Sequence, residues 1–113
     1  DYPHIGHGRV YVLFDILYRL LIFSGHNVVY CRNYTDTCEK ILEKSFLEFN
    51  TEYRYLEIAD LFINHFKQNM KELNCLPPTY EPRISDHISI ITGFIQKLID
   101  NENAYIDDGD VYF

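Results

Sequence analysis

Pro3-His4-Ile5-Gly6-His7-Gly8-Arg9 runs straight into the apolar stretch that begins at Val10, and the reading of that junction decides the fold. Val10, Val12, Leu13, Phe14, Ile16, Leu17, Leu20, Leu21, Ile22 and Phe23 follow in close order. The segment from Gly8 to Ser24 is too long for an ordinary strand, so a helix is predicted. Its apolar residues lie almost all round, so burial on most sides is expected. Gly25 is a natural C-terminal stop. The glycines ahead of the run leave backbone N–H groups free at the helix mouth, where an anion is favoured. His4 and His7 add two donors on one face. Such a turn is a place to hold phosphate, although two histidines on a turn can also be plain surface residues.

Asn27-Val28-Val29-Tyr30-Cys31-Arg32 reads as a short strand, rich in β-branched and aromatic residues and without alternation. That pattern suits a parallel strand covered on both faces. A long helix followed by a buried strand is the second half of a βαβ unit, whose first strand is expected just before Asp1. The polar cluster Asn33-Tyr34-Thr35-Asp36-Thr37 then falls at the carboxyl end of a strand, where open parallel sheets bind ligands. Thr35 or Asp36 can equally cap a helix running from about Asp36 to Phe49.

Two further segments have a helical period. Leu56, Ala59, Ile63, Phe66, Met70 and Leu73 form one stripe, and Ile84, Ile88, Ile91, Ile95 and Leu98 form another. Both are expected to be core, packed on each other or on the sheet, with Ser85 or Asp86 capping the second helix. Between them Pro77, Pro78 and Pro82 exclude helix. The last segment, Ala104 to Phe113, reads as a hairpin turning at Asp108-Gly109.

The 113 residues suffice for one domain. An apolar content of 47% places the chain among folded proteins rather than disordered ones. A net charge of −7 removes the usual basic stripe of a nucleic-acid binder, without excluding one face of a larger RNA-binding enzyme. Cys31, Cys38 and Cys75 form no CxxC pair, so reduced thiols in a cytosolic setting are expected. Asp15 and Arg19 interrupt the long apolar run, which argues against a signal peptide or a membrane span. Asp1 is not an initiator Met, and the chain is expected to be an excerpt of something longer.

The ordered set of motifs resembles the class I aminoacyl-tRNA synthetases, and the cysteinyl-tRNA synthetases in particular. The resemblance rests on His4-Ile5-Gly6-His7-Gly8-Arg9, Phe14-Asp15, Gly25 with Val29-Tyr30, and Arg32-Asn33-Tyr34-Thr35-Asp36. It continues through Leu76-Pro77-Pro78, Glu81-Pro82-Arg83 with His87-Ile88, and Ala104-Tyr105 with Gly109 to Phe113. It covers nearly the whole chain. It implies an α/β fold, a partial Rossmann-like class I catalytic domain that is helix-rich. Residues 1–80 would be its first half, and residues 81–113 the start of the connective insertion.

The resemblance also implies ATP-dependent activation of cysteine and its transfer to tRNA(Cys) by a cytoplasmic enzyme. His4 and His7 match the family's catalytic, ATP-binding histidines. Gly6 matches the position where adenine approaches the backbone. Thr35 matches a residue that helps hold the amino acid. The family's zinc ligands and its KMSKS loop would lie outside this chain, so none of the three cysteines matches a metal ligand and the piece alone is expected to be inactive. Where the family usually has Ile and Asp, this chain has Thr37 and Cys38. The alternatives are the related ligase that joins cysteine to an amino sugar in mycothiol synthesis, and a truncated, non-catalytic homologue. No role attaches to His26, His65 or Cys38. Arg9 is open between Asp15 and phosphate.

Overall fold

The computed structural model describes residues 2–113. Helix α1 (Ile5–Phe23) leads, followed by α2 (Glu39–Phe49), α3 (Tyr55–Glu72) and α4 (Ile88–Asp100). The hairpin β1 (Tyr105–Asp107) and β2 (Asp110–Tyr112) closes the chain. Single 3-10 turns at Glu52–Arg54 and Ser85–His87 lead into α3 and α4. The first strand expected before Asp1 lies outside the described residues.

Helix α1 begins earlier than the apolar run, because His4 caps it with its own ring. It ends as expected, with Ser24 as cap and Gly25 at φ +84°. Its burial differs from expectation. Asp15 is its one buried residue, while Leu13 is 64% exposed. The other described residues meet α1 through the rings of Tyr11 and Tyr18, against Phe66 and Tyr30, and through the loop after α3. Two bonds make that second contact. The Asp15 carboxylate accepts from the Leu76 N–H at 2.7 Å, and Arg19 donates to the Asn74 carbonyl at 2.6 Å. Arg19 also donates to Asp15 at 2.7 Å, one helical turn away. Asp15 thus pairs with Arg19, not Arg9.

The core lies between α2 and α3. Ile41, Ile58 and Ala59 form its centre, with Phe49, Tyr55 and Phe62 packed around it. Of the predicted α3 stripe, Ala59, Ile63 and Met70 are buried, whereas Leu56 and Leu73 remain well exposed. The α4 stripe is not core: no residue of α4 is buried, and Ile88 is half exposed. The hairpin forms as read. Tyr105 pairs with Tyr112, Ile106 with Val111 and Asp107 with Asp110. Asp108 and Gly109 both have positive φ, +47° and +89°, as a two-residue turn of the I′ kind requires.

The predicted parallel strand exists in reduced form, and its partner is the proline-rich segment. Two parallel bridges join Cys31 to Tyr80 and Tyr34 to Arg83. The Tyr80 N–H donates to Tyr30, and Arg32 donates back to the Tyr80 carbonyl at 3.0 Å. Tyr34 donates to the Pro82 carbonyl at 2.9 Å, and Ile84 donates to Tyr34 at 3.1 Å. The rung expected from position 82 is missing because proline has no N–H. One absent rung leaves two short pairings in place of a continuous ladder.

Candidate functional site

The turn before α1 is built by its two histidines. The Gly6 N–H donates to His4 Nδ1 at 3.1 Å, and the His4 N–H donates to His7 Nδ1 at 3.3 Å. Each ring therefore satisfies one of the orphan donors of a helix start. An Nδ1 that accepts is unprotonated, so each neutral ring carries its proton on Nε2. The rings lie 4.0 Å apart between centroids, and both residues are exposed. The result is a pair of adjacent N–H donors at the positive end of a 19-residue helix. Gly6 has its own role in this arrangement. A Cβ there would stand 2.9 Å from His4 Cε1 and 3.1 Å from His4 Nδ1, so the missing side chain leaves room for the capping ring. Arg9 makes no ion pair among the described residues. His4 also edges a cavity of about 370 Å³ whose charged lining residue is Glu72. That carboxylate disfavours a phosphate inside the cavity.

Thr35 stands elsewhere, on a cavity of about 160 Å³ lined by Tyr34, Asp36, Ile41, Phe62 and Phe66 among others. The structure does not bring Thr35 and the two histidines into one cavity. Nor does Thr35 or Asp36 cap α2, which starts at Glu39 after an uncapped Cys38. Asp36 is 2% exposed and points to the second segment. It accepts from the Ser85 N–H at 3.0 Å and from the Ser85 hydroxyl at 2.6 Å. Ser85 is thus engaged by Asp36, and neither it nor Asp86 caps α4 by side chain.

A second charged group was not foreseen from sequence. Arg32 and Tyr34 both bond one Glu81 oxygen, the tyrosine hydroxyl donating at 2.7 Å. The Arg32 guanidinium is flanked by Phe66 at 4.8 Å and Tyr11 at 5.2 Å from the ring centres. Its Nε is buried without a hydrogen-bond partner, a cost the aromatic faces soften. Burial alone would push the Glu81 carboxyl up, but the bonds from Arg32 and Tyr34 hold it below its usual value. Burial and the Glu81 carboxylate raise the Tyr34 hydroxyl, which stays protonated. The available signal was the two-residue spacing of Arg32, Tyr34 and Asp36 in an extended segment, read against Glu81 beside Pro82.

The remaining candidates sort simply. His65 packs on the Tyr2 ring, and His87 Nδ1 lies 2.7 Å from the Arg83 carbonyl, so His87 is a satisfied polar residue. The three cysteines are free thiols. Among the described residues no three His, Cys, Asp or Glu side chains gather as metal ligands. No described helix is long and apolar enough to cross a membrane.

Comparison with known proteins decides the family. The model of the tRNA synthetases class I (C) catalytic domain matches residues 1–113. The chain belongs to the class I tRNA synthetases. Within this synthetase family, it is 50% identical over its whole length to a cysteine–tRNA ligase of Trichlorobacter lovleyi, covering 23% of that protein. It is 44% identical to the Archaeoglobus fulgidus cysteine–tRNA ligase, covering 24% of it. It is 42% identical to the chloroplastic/mitochondrial cysteine–tRNA ligase of Arabidopsis thaliana, covering 20%. In each case all of this chain is aligned, so it spans about a quarter or less of these synthetases. The expected α/β synthetase fold, helix-rich and partial, stands.

Proposed function

We propose that this chain is part of a cytoplasmic cysteine–tRNA ligase, an enzyme that joins cysteine to ATP and passes the cysteinyl group to tRNA(Cys). Whole-length identity to cysteine–tRNA ligases carries this reading. The names of these relatives favour it over the amino-sugar ligase. In the proposal residues 1–80 form the first half of the catalytic domain and residues 81–113 open the connective insertion. The bonds from Tyr34 to Pro82 and Ile84 cross that division, so the insertion starts from a segment anchored to the catalytic half.

Activation is an in-line attack of the cysteine carboxylate on the α-phosphorus of ATP, with pyrophosphate leaving. Catalysis of this kind rests on positioning and on charge stabilisation. His4 and His7 donate from Nε2 to phosphate oxygens as negative charge builds there. Their Nδ1 atoms are committed to backbone N–H groups, so the rings need no reorganisation when ATP arrives. Gly6 keeps the turn flat enough for the base and leaves the His4 ring its place. Thr35 helps hold the amino acid. Zinc belongs to the parent enzyme in this reading, with ligands outside residues 1–113, and no step here runs through it.

The test is ATP–pyrophosphate exchange that depends on cysteine. The whole enzyme is expected to catalyse it, and residues 1–113 alone are expected not to. Exchange by the short chain refutes the division of labour, and exchange driven by another amino acid refutes the substrate.

A further inference from the structure

Alternate residues of the segment from Arg32 to Asp36 face opposite ways. Arg32 and Tyr34 both reach Glu81, and Asp36 reaches Ser85. Asn33 and Thr35 face the other way, where the Asn33 amide lies 3.5 Å from the Thr35 hydroxyl. Extended backbone has this period of two, so what fixes one set fixes the aim of the other. The ladder is weak at this point, because Pro82 removes a rung. Side chains supply the missing constraint. Glu81 takes two donors from one segment, and Asp36 takes two from the other. The two carboxylates work as reciprocal clamps on either side of Thr35.

We propose that Glu81 is a positioning residue for the amino-acid subsite: by holding Arg32 and Tyr34, it sets the direction of the Thr35 hydroxyl. This rests on the functional reading above. Glu81 itself touches no substrate. The Arg32 side chain is about nine-tenths buried, so its place depends on the Glu81 charge. Tyr34 packs edge-on to Phe66 and keeps that packing without its hydroxyl.

The experiment is cysteine-dependent pyrophosphate exchange by the whole enzyme, with KM measured separately for cysteine and for ATP. Glu81→Gln keeps the shape and removes the charge. Tyr34→Phe removes one of the two donors and leaves Arg32 paired. Glu81→Gln is expected to raise the cysteine KM roughly tenfold, the size of a lost charge-assisted hydrogen bond. Tyr34→Phe is expected to raise it about threefold. The ATP KM should stay within twofold for both, which general unfolding would not produce. Amide exchange at Arg32 and Tyr34, whose N–H groups bond the Tyr80 and Pro82 carbonyls, should quicken in the same order. If both variants leave the cysteine KM within twofold, or move both KM values together, the positioning role is overturned while the functional reading stands. If the unaltered enzyme shows no cysteine-dependent exchange, the functional reading falls and takes this proposal with it. Should Glu81→Gln fail to fold, Tyr34→Phe decides alone.

Discussion

Replacing Asp15 by alanine should free the middle of α1 from the loop that follows α3. Asp15 is 8% exposed and receives two bonds, from the Leu76 N–H and from Arg19. A hydrogen bond to a charged, part-buried acceptor contributes about 1.5–3 kcal/mol. The Arg19 side chain is 42% exposed, so its ion pair is screened by solvent and adds roughly 0.2–1 kcal/mol. Together the loss is about 2–4 kcal/mol. The whole enzyme has several domains, so the fitting assay is local: native-state amide exchange at Leu76. Exchange there should speed up by roughly 30- to 1,000-fold. Asp15→Asn retains an acceptor for Leu76 but loses the charge, and about half of the free-energy loss is expected. A change in Leu76 exchange of less than twofold in Asp15→Ala would refute the argument. It would mean that α1, with the histidine turn at its head, is held by other contacts.

Three further outcomes follow from the geometry. His4→Asn keeps a good N-cap side chain but lacks a second ring donor, so helix stability should change by less than about 0.5 kcal/mol while pyrophosphate exchange drops on the order of 100-fold. Retained exchange would leave His4 as a cap alone. In Gly6→Ala the new methyl group collides with the His4 ring, so exchange should fall as the ring moves, and His4→Ala combined with it should add less than the two separate losses. Glu81 has its pKa lowered in the folded state, so its contribution to stability is present above the unfolded carboxyl value near pH ~4.3 and is lost as pH falls through the lower folded value. The stability gap between the natural protein and Glu81→Gln should therefore close on acidification, and a gap that is constant from pH 6 to roughly pH 3 would show that the charge contributes nothing.

The order of elements was legible in the sequence alone. The long apolar run ended by Gly25 made α1, the 3.6-residue stripe placed α3, and Asp108-Gly109 placed the hairpin turn. These are local signals, carried by chain stereochemistry and by periodicity within a few turns. The pairing of His4 with His7 at the head of α1 was legible as well, because spacing along a helix start is also local. What the tertiary structure decided was which neighbours meet. It exposed the stripe on α4 and most of α1, since apolar pattern records that a face can be buried and not what covers it. It turned a proline-rich loop into a strand partner, since three prolines exclude helix without excluding an edge pairing. It gave Asp36 to Ser85, and Arg32 with Tyr34 to Glu81, across 47 to 49 residues of chain. Polar groups that far apart in sequence mark their pairing only faintly, through spacing along an extended segment, and folding, which removes them from water together, selects it.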